Sequence, residues 1–175
     1  MTAPLAFALD VAAHFERVHR DVFVGDPASN PNLEVEVVDL GLAGDTPVVV
    51  LIAPWTLCGL AQSPDGGLPQ TLRVGHRDRP VLANEVDSIG MYQSVILVPD
   101  VSGYSNQEQA RTEAERLGAG FRQAVESARV ELTQVRDNSR RRLLKGLATD
   151  VPSSATSGTA YGTPSGTGPS PAGNG

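Results

Sequence analysis

The chain of 175 residues contains a single cysteine, Cys58, so it cannot form an internal disulfide. Because disulfides persist in oxidising compartments, their exclusion favours a reducing one. The N-terminal segment also lacks the basic start of a secretory signal, and Asp10, His14 and Glu16 interrupt its apolar residues. We therefore expect a cytoplasmic protein.

The sequence also lacks long apolar runs and any excess of positive charge. No run reaches the roughly 18 apolar residues typical of a membrane-spanning helix, so membrane insertion is not expected. Lys and Arg number 14 against 20 Asp and Glu, which gives a formal net charge of -6. Because phosphate groups are bound by basic surfaces, nucleic acid and anionic membranes are not expected as partners.

Signatures of cofactor and metal binding are missing as well. The chain has no GxxxxGK[ST] or GxGxxG loop for phosphates, and no CxxC or HExxH pattern for a metal. Its histidines are His14, His19 and His76, and no two of them form a close pair. The sequence therefore predicts neither an enzyme nor a cofactor.

Apolar periodicity indicates helices near the two ends of a folded domain. Apolar residues between Leu5 and Val22 recur at roughly helical spacing, and Gly25 and Pro27 should end this helix. A longer helix is predicted over residues 105–135, with Ser105 as its N-cap and Glu108 completing a capping box.

Strands fill the region between these helices. The runs typical of strands cover residues 33–40, 47–54, 71–76, 79–86 and 91–99. The first two are expected to form an antiparallel hairpin, and residues 47–54 are apolar on both faces, as in a central strand. Residues 54–62 are predicted to form a short helix that begins at Pro54. Since the strands are consecutive, the predicted class is α+β, a mostly antiparallel sheet with an N-terminal helix and a long C-terminal helix.

The composition changes sharply after residue 150. Residues 151–175 carry no charge and are rich in Gly, Ser, Thr and Pro. Such a segment cannot bury enough apolar surface to offset its ordering entropy. We therefore predict one domain over residues 1–150 and a disordered tail over residues 151–175.

One short segment contains both the only tryptophan and the only cysteine of the chain. Its residues of interest are Pro54, Trp55, Leu57, Cys58 and Leu60. Cys58 can be a small buried hydrophobe, a nucleophile that needs a nearby base, or one ligand of a metal. Trp55 can belong to the core or anchor a protein partner. The residues leave these alternatives open.

A basic and apolar patch, SRRRLLKG, lies near the C-terminus. Its residues Arg140, Arg141, Arg142, Leu143 and Leu144 resemble a twin-arginine export signal, but no apolar region follows them, so they cannot act as one. The patch is either a basic helix end that complements the helix dipole or a docking element.

Three ordered segments resemble one family, the HybE-type nickel-iron hydrogenase assembly chaperones. The segments are NPNLEVEVVDLGLAGDTPVVVLIAPWTL, QSVILVPDVSGYSNQEQARTEAERLG and NSRRRLLKG, and they run from about Asn30 to Gly146. In this chain Ala53 precedes Pro54-Trp55, where the family has threonine.

The resemblance implies a non-enzymatic maturation factor that binds a large or small hydrogenase subunit precursor during cofactor insertion and assembly. The partner-binding candidates are Pro54, Trp55, Leu57, Cys58, Leu60, Arg140, Arg141, Arg142, Leu143 and Leu144. Two alternatives are a thiol-dependent redox or metal-delivery factor that uses Cys58, and a structural accessory subunit of the hydrogenase complex.

Overall fold

The computed structural model describes residues 3–63 and 67–148. Helix α1 spans Ala3–Val18 and continues into one π-helical turn, His19–Phe23. Helix α2 spans Gln107–Ala148. The strands between them are β1 Glu36–Ala43, β2 Thr46–Ala53, β3 Thr56–Gln62, β4 Thr71–Val74, β5 Arg77–Val86 and β6 Gly90–Val98. The chain divides into two compact units between Asn138 and Ser139.

The strands form one sheet in the order β1-β2-β3-β6-β5-β4, and every neighbouring pair is antiparallel. The predicted α+β class is therefore confirmed, as is the hairpin of β1 and β2. All residues of β2 are buried. Since its side chains alternate between the faces of the sheet, an apolar strand of this kind needs cover on both sides.

Each helix covers one face of the sheet. On one face, Val49 and Leu51 of β2 pack in a cluster with Phe7 and Val11 of α1. On the other face, alternate residues of β2 pack in a second cluster with apolar residues of α2; this cluster contains Val48, Val50, Ile52, Ala110, Ala114, Phe121 and Val125. The sheet therefore lies between the helices and supplies the centre of both cores.

A glycine in β3 permits a close approach between the sheet and α2. A Cβ atom at Gly59 would lie 2.7 Å from ring atoms of Phe121, which is shorter than van der Waals contact. Phe121 is 1% exposed. The missing side chain at Gly59 therefore makes the space that the phenyl ring fills.

Strand β1 is an edge strand with a bulge in its middle. The pairing with β2 shifts between Val38 and Gly41, and Asp39 has a φ of 40°, which is rare for a residue with a side chain. Arg122 of α2 forms an ion pair with Asp39. A Cβ atom at Gly41 would lie 3.2 Å from Cζ of Arg122. Helix α2 thus holds the bulge in place.

Two local predictions are wrong. Residues 54–62 do not form a helix, because Thr56–Gln62 pairs as a strand with β2 on one side and β6 on the other. The capping of α2 uses other residues: the Asn106 side chain accepts a hydrogen bond from the backbone N–H of Gln109 at 2.9 Å, and the Gln109 side chain accepts one from Ser105 N–H at 2.9 Å. Residues 151–175, the predicted tail, lie outside the described residues.

Candidate functional site

Trp55 lies in the two-residue turn between β2 and β3, where Ala53 and Thr56 are paired. It is half-buried, and rings from the N-terminal segment surround its indole. The Phe23 ring stacks on the indole with centroids 4.1 Å apart and an interplanar angle of 8°. The centroids of Phe15 and His19 lie 6.3 Å and 5.9 Å from that of Trp55. We call these four residues the aromatic corner.

The π-helical turn positions two of these rings. Phe15, His19 and Phe23 are spaced four residues apart, so they lie along one side of the helical segment. The backbone N–H of Val24 bonds to the carbonyl oxygen of His19 at 2.9 Å and ends the segment. Short π-helical segments occur often at functional sites. Val22 and Val24 on either side of Phe23 are 64% and 67% exposed, so apolar surface continues past the rings.

Asn30 fixes the backbone of the Trp55 turn. Its backbone N–H bonds to the carbonyl oxygen of Pro54 at 2.7 Å. Its side-chain amide donates to the carbonyl oxygens of Val101 and Tyr104, each at 2.8 Å, and its side-chain oxygen accepts from Asn32 N–H at 2.9 Å. Since Asn30 is buried and fully bonded, it connects the turn rigidly to the loop before α2.

The neighbours of Trp55 belong to the core. Pro54 is buried, Leu57 and Leu60 are fully buried, and Cys58 is 4% exposed. Because β3 lies between β2 and β6 under both helices, Leu57, Cys58 and Leu60 are not exposed to solvent. Their part in partner binding stays a prediction. Of the five candidate residues in this segment, Trp55 is the one that is not buried.

Cys58 has the environment of a structural thiol. Burial raises its pKa to about 12, which strongly disfavours the thiolate. A nucleophilic or metal-binding cysteine needs the thiolate near neutral pH. In the described ranges, no group of three His, Cys, Asp or Glu residues is arranged to hold a metal ion.

The basic patch belongs to the second compact unit. Arg140, Arg141 and Arg142 are exposed, and Leu143 is 68% exposed. The side chain of Leu144 lies outside the described residues, although its backbone is part of α2. The patch is thus helical and open to solvent at the residues that can be described.

The fold is a two-faced α+β core in which the thiol is buried and the aromatic turn reaches the surface. A family model described as "[NiFe]-hydrogenase assembly, chaperone, HybE" matches residues 6–146, and the chain belongs to this family of nickel-iron hydrogenase assembly chaperones. Searches of curated proteins and of solved structures gave no match. Among the described residues, no helix has the length and apolar character needed to cross a membrane.

Proposed function

We propose that this protein binds an immature hydrogenase subunit, large or small, in the cytoplasm, holds it during cofactor insertion and assembly, and catalyses no reaction itself. Family membership supports the process. The high pKa and the burial of Cys58 speak against a thiol-dependent role. Nothing in the described structure favours the two alternatives named from the sequence.

The aromatic corner is the observation that carries this proposal. Tryptophan is enriched among the residues that dominate binding energy at protein interfaces. The stack with Phe23 and the hydrogen bonds of Asn30 hold the Trp55 turn in one conformation. A surface that is ordered before binding loses less conformational entropy when a partner arrives. Val22 and Val24 extend the same surface with exposed apolar side chains.

The exposed arginines near the C-terminus are proposed as a second contact. Arg140, Arg141 and Arg142 can attract acidic surface on the client over a distance, and Leu143 can add apolar contact. Charged residues at the rim of an interface mainly raise the association rate and add little affinity. Their contribution should therefore fall as the salt concentration rises.

Capture of hydrogenase precursors from cells tests the proposal. The wild-type chain should recover an immature subunit, and Trp55→Ala should recover several-fold less of it. Val22→Ser probes the same surface without disturbing the core, because Val22 is 64% exposed. The matched control is Leu82→Ser on β5, where a 49% exposed leucine lies outside the corner.

Two results would count against the proposal in different ways. If the wild-type chain recovers no subunit, the chaperone function is wrong. If Trp55→Ala and Val22→Ser both recover as much subunit as Leu82→Ser does, the client binds elsewhere. Circular dichroism spectra of all variants should match the wild type, so that loss of folding is not mistaken for loss of binding.

A further inference from the structure

A pocket of about 370 Å³ lies between the β4–β5 hairpin, the end of β6 and α2. One part of its wall is polar and includes His76 together with the charged residues Arg77, Arg79, Arg116 and Glu113. This volume is at the lower end of the roughly 300–1,000 Å³ found for ligand pockets, which leaves room for one or two side chains of a ligand.

The charges of this pocket do not balance. Arg116 forms a two-point ion pair with Glu113, with distances of 2.8 Å from Nε and 2.7 Å from a terminal nitrogen. The ion pairs formed among the described residues include neither Arg77 nor Arg79. The pocket therefore has an excess of positive charge, in a chain whose net charge is -6.

Arg79 is the more constrained of the two arginines. One terminal nitrogen donates to the carbonyl oxygen of Ile96 at 2.7 Å, which fixes the direction of the guanidinium group. Its Nε is buried and has no hydrogen-bond partner among the described residues. Burial, and then the charge of Arg77, lower the pKa of Arg79. A buried cationic donor without a partner is costly, because it has lost water and gained no acceptor.

The remaining wall of the pocket is apolar. Leu97 and Pro99 line it from the end of β6, and Leu117 lines it from α2. A ligand that fits must therefore combine an anionic group with an apolar neighbour. A free inorganic anion would satisfy the arginines but leave this wall in contact with water.

We propose that this pocket binds a carboxylate side chain of a protein partner, flanked by apolar residues that lie against Leu97 and Leu117. Arginine matches the planar carboxylate with two parallel hydrogen bonds, which a hydrated point charge cannot do. The inference rests on the proposed function only for the source of the acidic segment, which would be the client subunit.

Peptide titration of the purified full-length chain tests the pocket. The probe is acetyl-Leu-Glu-Leu-Asp-Leu-amide, and its matched control is acetyl-Leu-Gln-Leu-Asn-Leu-amide, which has the same shape without charge. We expect the acidic peptide to shift the NMR signals of Gly75 and of the Arg79 Nε–H, and to bind roughly tenfold more tightly than the neutral one, since a hydrogen bond to a charged group is stronger than one between neutral groups.

Two arginine variants sharpen the assignment. Arg79→Gln should weaken binding of the acidic peptide to the level of the neutral peptide. Arg73→Gln removes the same charge from the same hairpin, but Arg73 does not line this pocket and pairs with Asp78 at 3.9 Å. It should bind the acidic peptide as the wild type does.

Four outcomes would overturn the inference. The acidic and neutral peptides could bind equally, or neither could bind. Arg73→Gln could lose as much affinity as Arg79→Gln, which would indicate a diffuse charge effect. Inorganic phosphate could bind as tightly as the acidic peptide, which would identify a site for free oxyanions. Because the titration uses purified protein, it can fail while capture of the hydrogenase precursor succeeds, and the reverse also holds.

Discussion

Trp55 and Cys58 are close neighbours in the sequence, yet the fold gives them opposite environments. Trp55 lies in a hairpin turn and stays half-buried among the rings of the aromatic corner. Cys58 lies in β3, between β2 and β6, and is 4% exposed. The comparison teaches that the turn can serve contact with a partner, while the strand that follows serves stability. Substitutions that affect the Trp55 turn and substitutions that affect β3 should separate these two roles.

Among the substitutions that affect the packing of β3, Phe121→Ala should cause the largest loss of stability. The ring packs directly over Gly59 of β3, and its removal would leave a cavity in the core. We expect the free energy of unfolding to fall by about 3–5 kcal/mol, measured by urea denaturation. Val130→Ala on the same helix is the control, since Val130 is 52% exposed and should lose less than about 0.5 kcal/mol. Equal losses would contradict the packing described.

The conformation of the Trp55 turn is tested most directly by Asn30→Ala. This substitution removes three side-chain hydrogen bonds of Asn30. Because it leaves the buried carbonyl of Val101 and the part-buried carbonyl of Tyr104 without this partner, we expect a loss of about 1–3 kcal/mol. Trp55 is the only tryptophan, so its fluorescence reports the turn alone and should shift to longer wavelength. The exposed Asn32→Ala is the matched control, and its emission should stay unchanged. An unchanged spectrum in Asn30→Ala would show that Asn30 does not position the turn.

The smallest effect is expected for Cys58→Ala, with a loss of about 1 kcal/mol and normal capture of the client. At pH 8 a thiol-specific reagent should react slowly with the folded wild-type chain, because the pKa of about 12 keeps the thiol protonated and burial blocks access. The same thiol should react rapidly in denaturant, where an ordinary cysteine has a pKa of about 8.5. Rapid labelling of the folded chain, or loss of capture in Cys58→Ala, would revive the thiol-dependent alternative.

The sequence predicted the parts of the fold that periodicity determines. The apolar run of β2 indicated a central strand, and the apolar spacing indicated both helices. It failed for β3, because a short apolar run after a proline is equally compatible with a helix or a strand. Residues 56–62 become a strand only because they pair with β2 and with β6. Strand β6 begins at Gly90, far from β3 in the sequence. Asn106 replaced Ser105 as the helix cap for a similar reason, since two adjacent residues could both serve.

The sites depend still more on contacts between distant residues. The spacing of Phe15, His19 and Phe23 was visible in the sequence, but nothing in it indicated that the three rings meet Trp55. The cationic pocket combines Arg79 of β5 with Arg116 of α2. Such sites form only when the helices pack on the sheet, so local patterns cannot reveal them.

The bulge in β1 has a consequence for how this edge of the sheet can meet other polypeptides. An edge strand is an open template on which an extended chain can add itself and polymerise. Here regular pairing covers only three residues on each side of the Asp39 bulge before the register breaks. Arg122 of α2 forms an ion pair with Asp39 in the bulge, so β1 cannot become a regular strand without losing this ion pair. The bulge thus limits the length of backbone ladder that an extended chain could add to the β1 edge of the sheet.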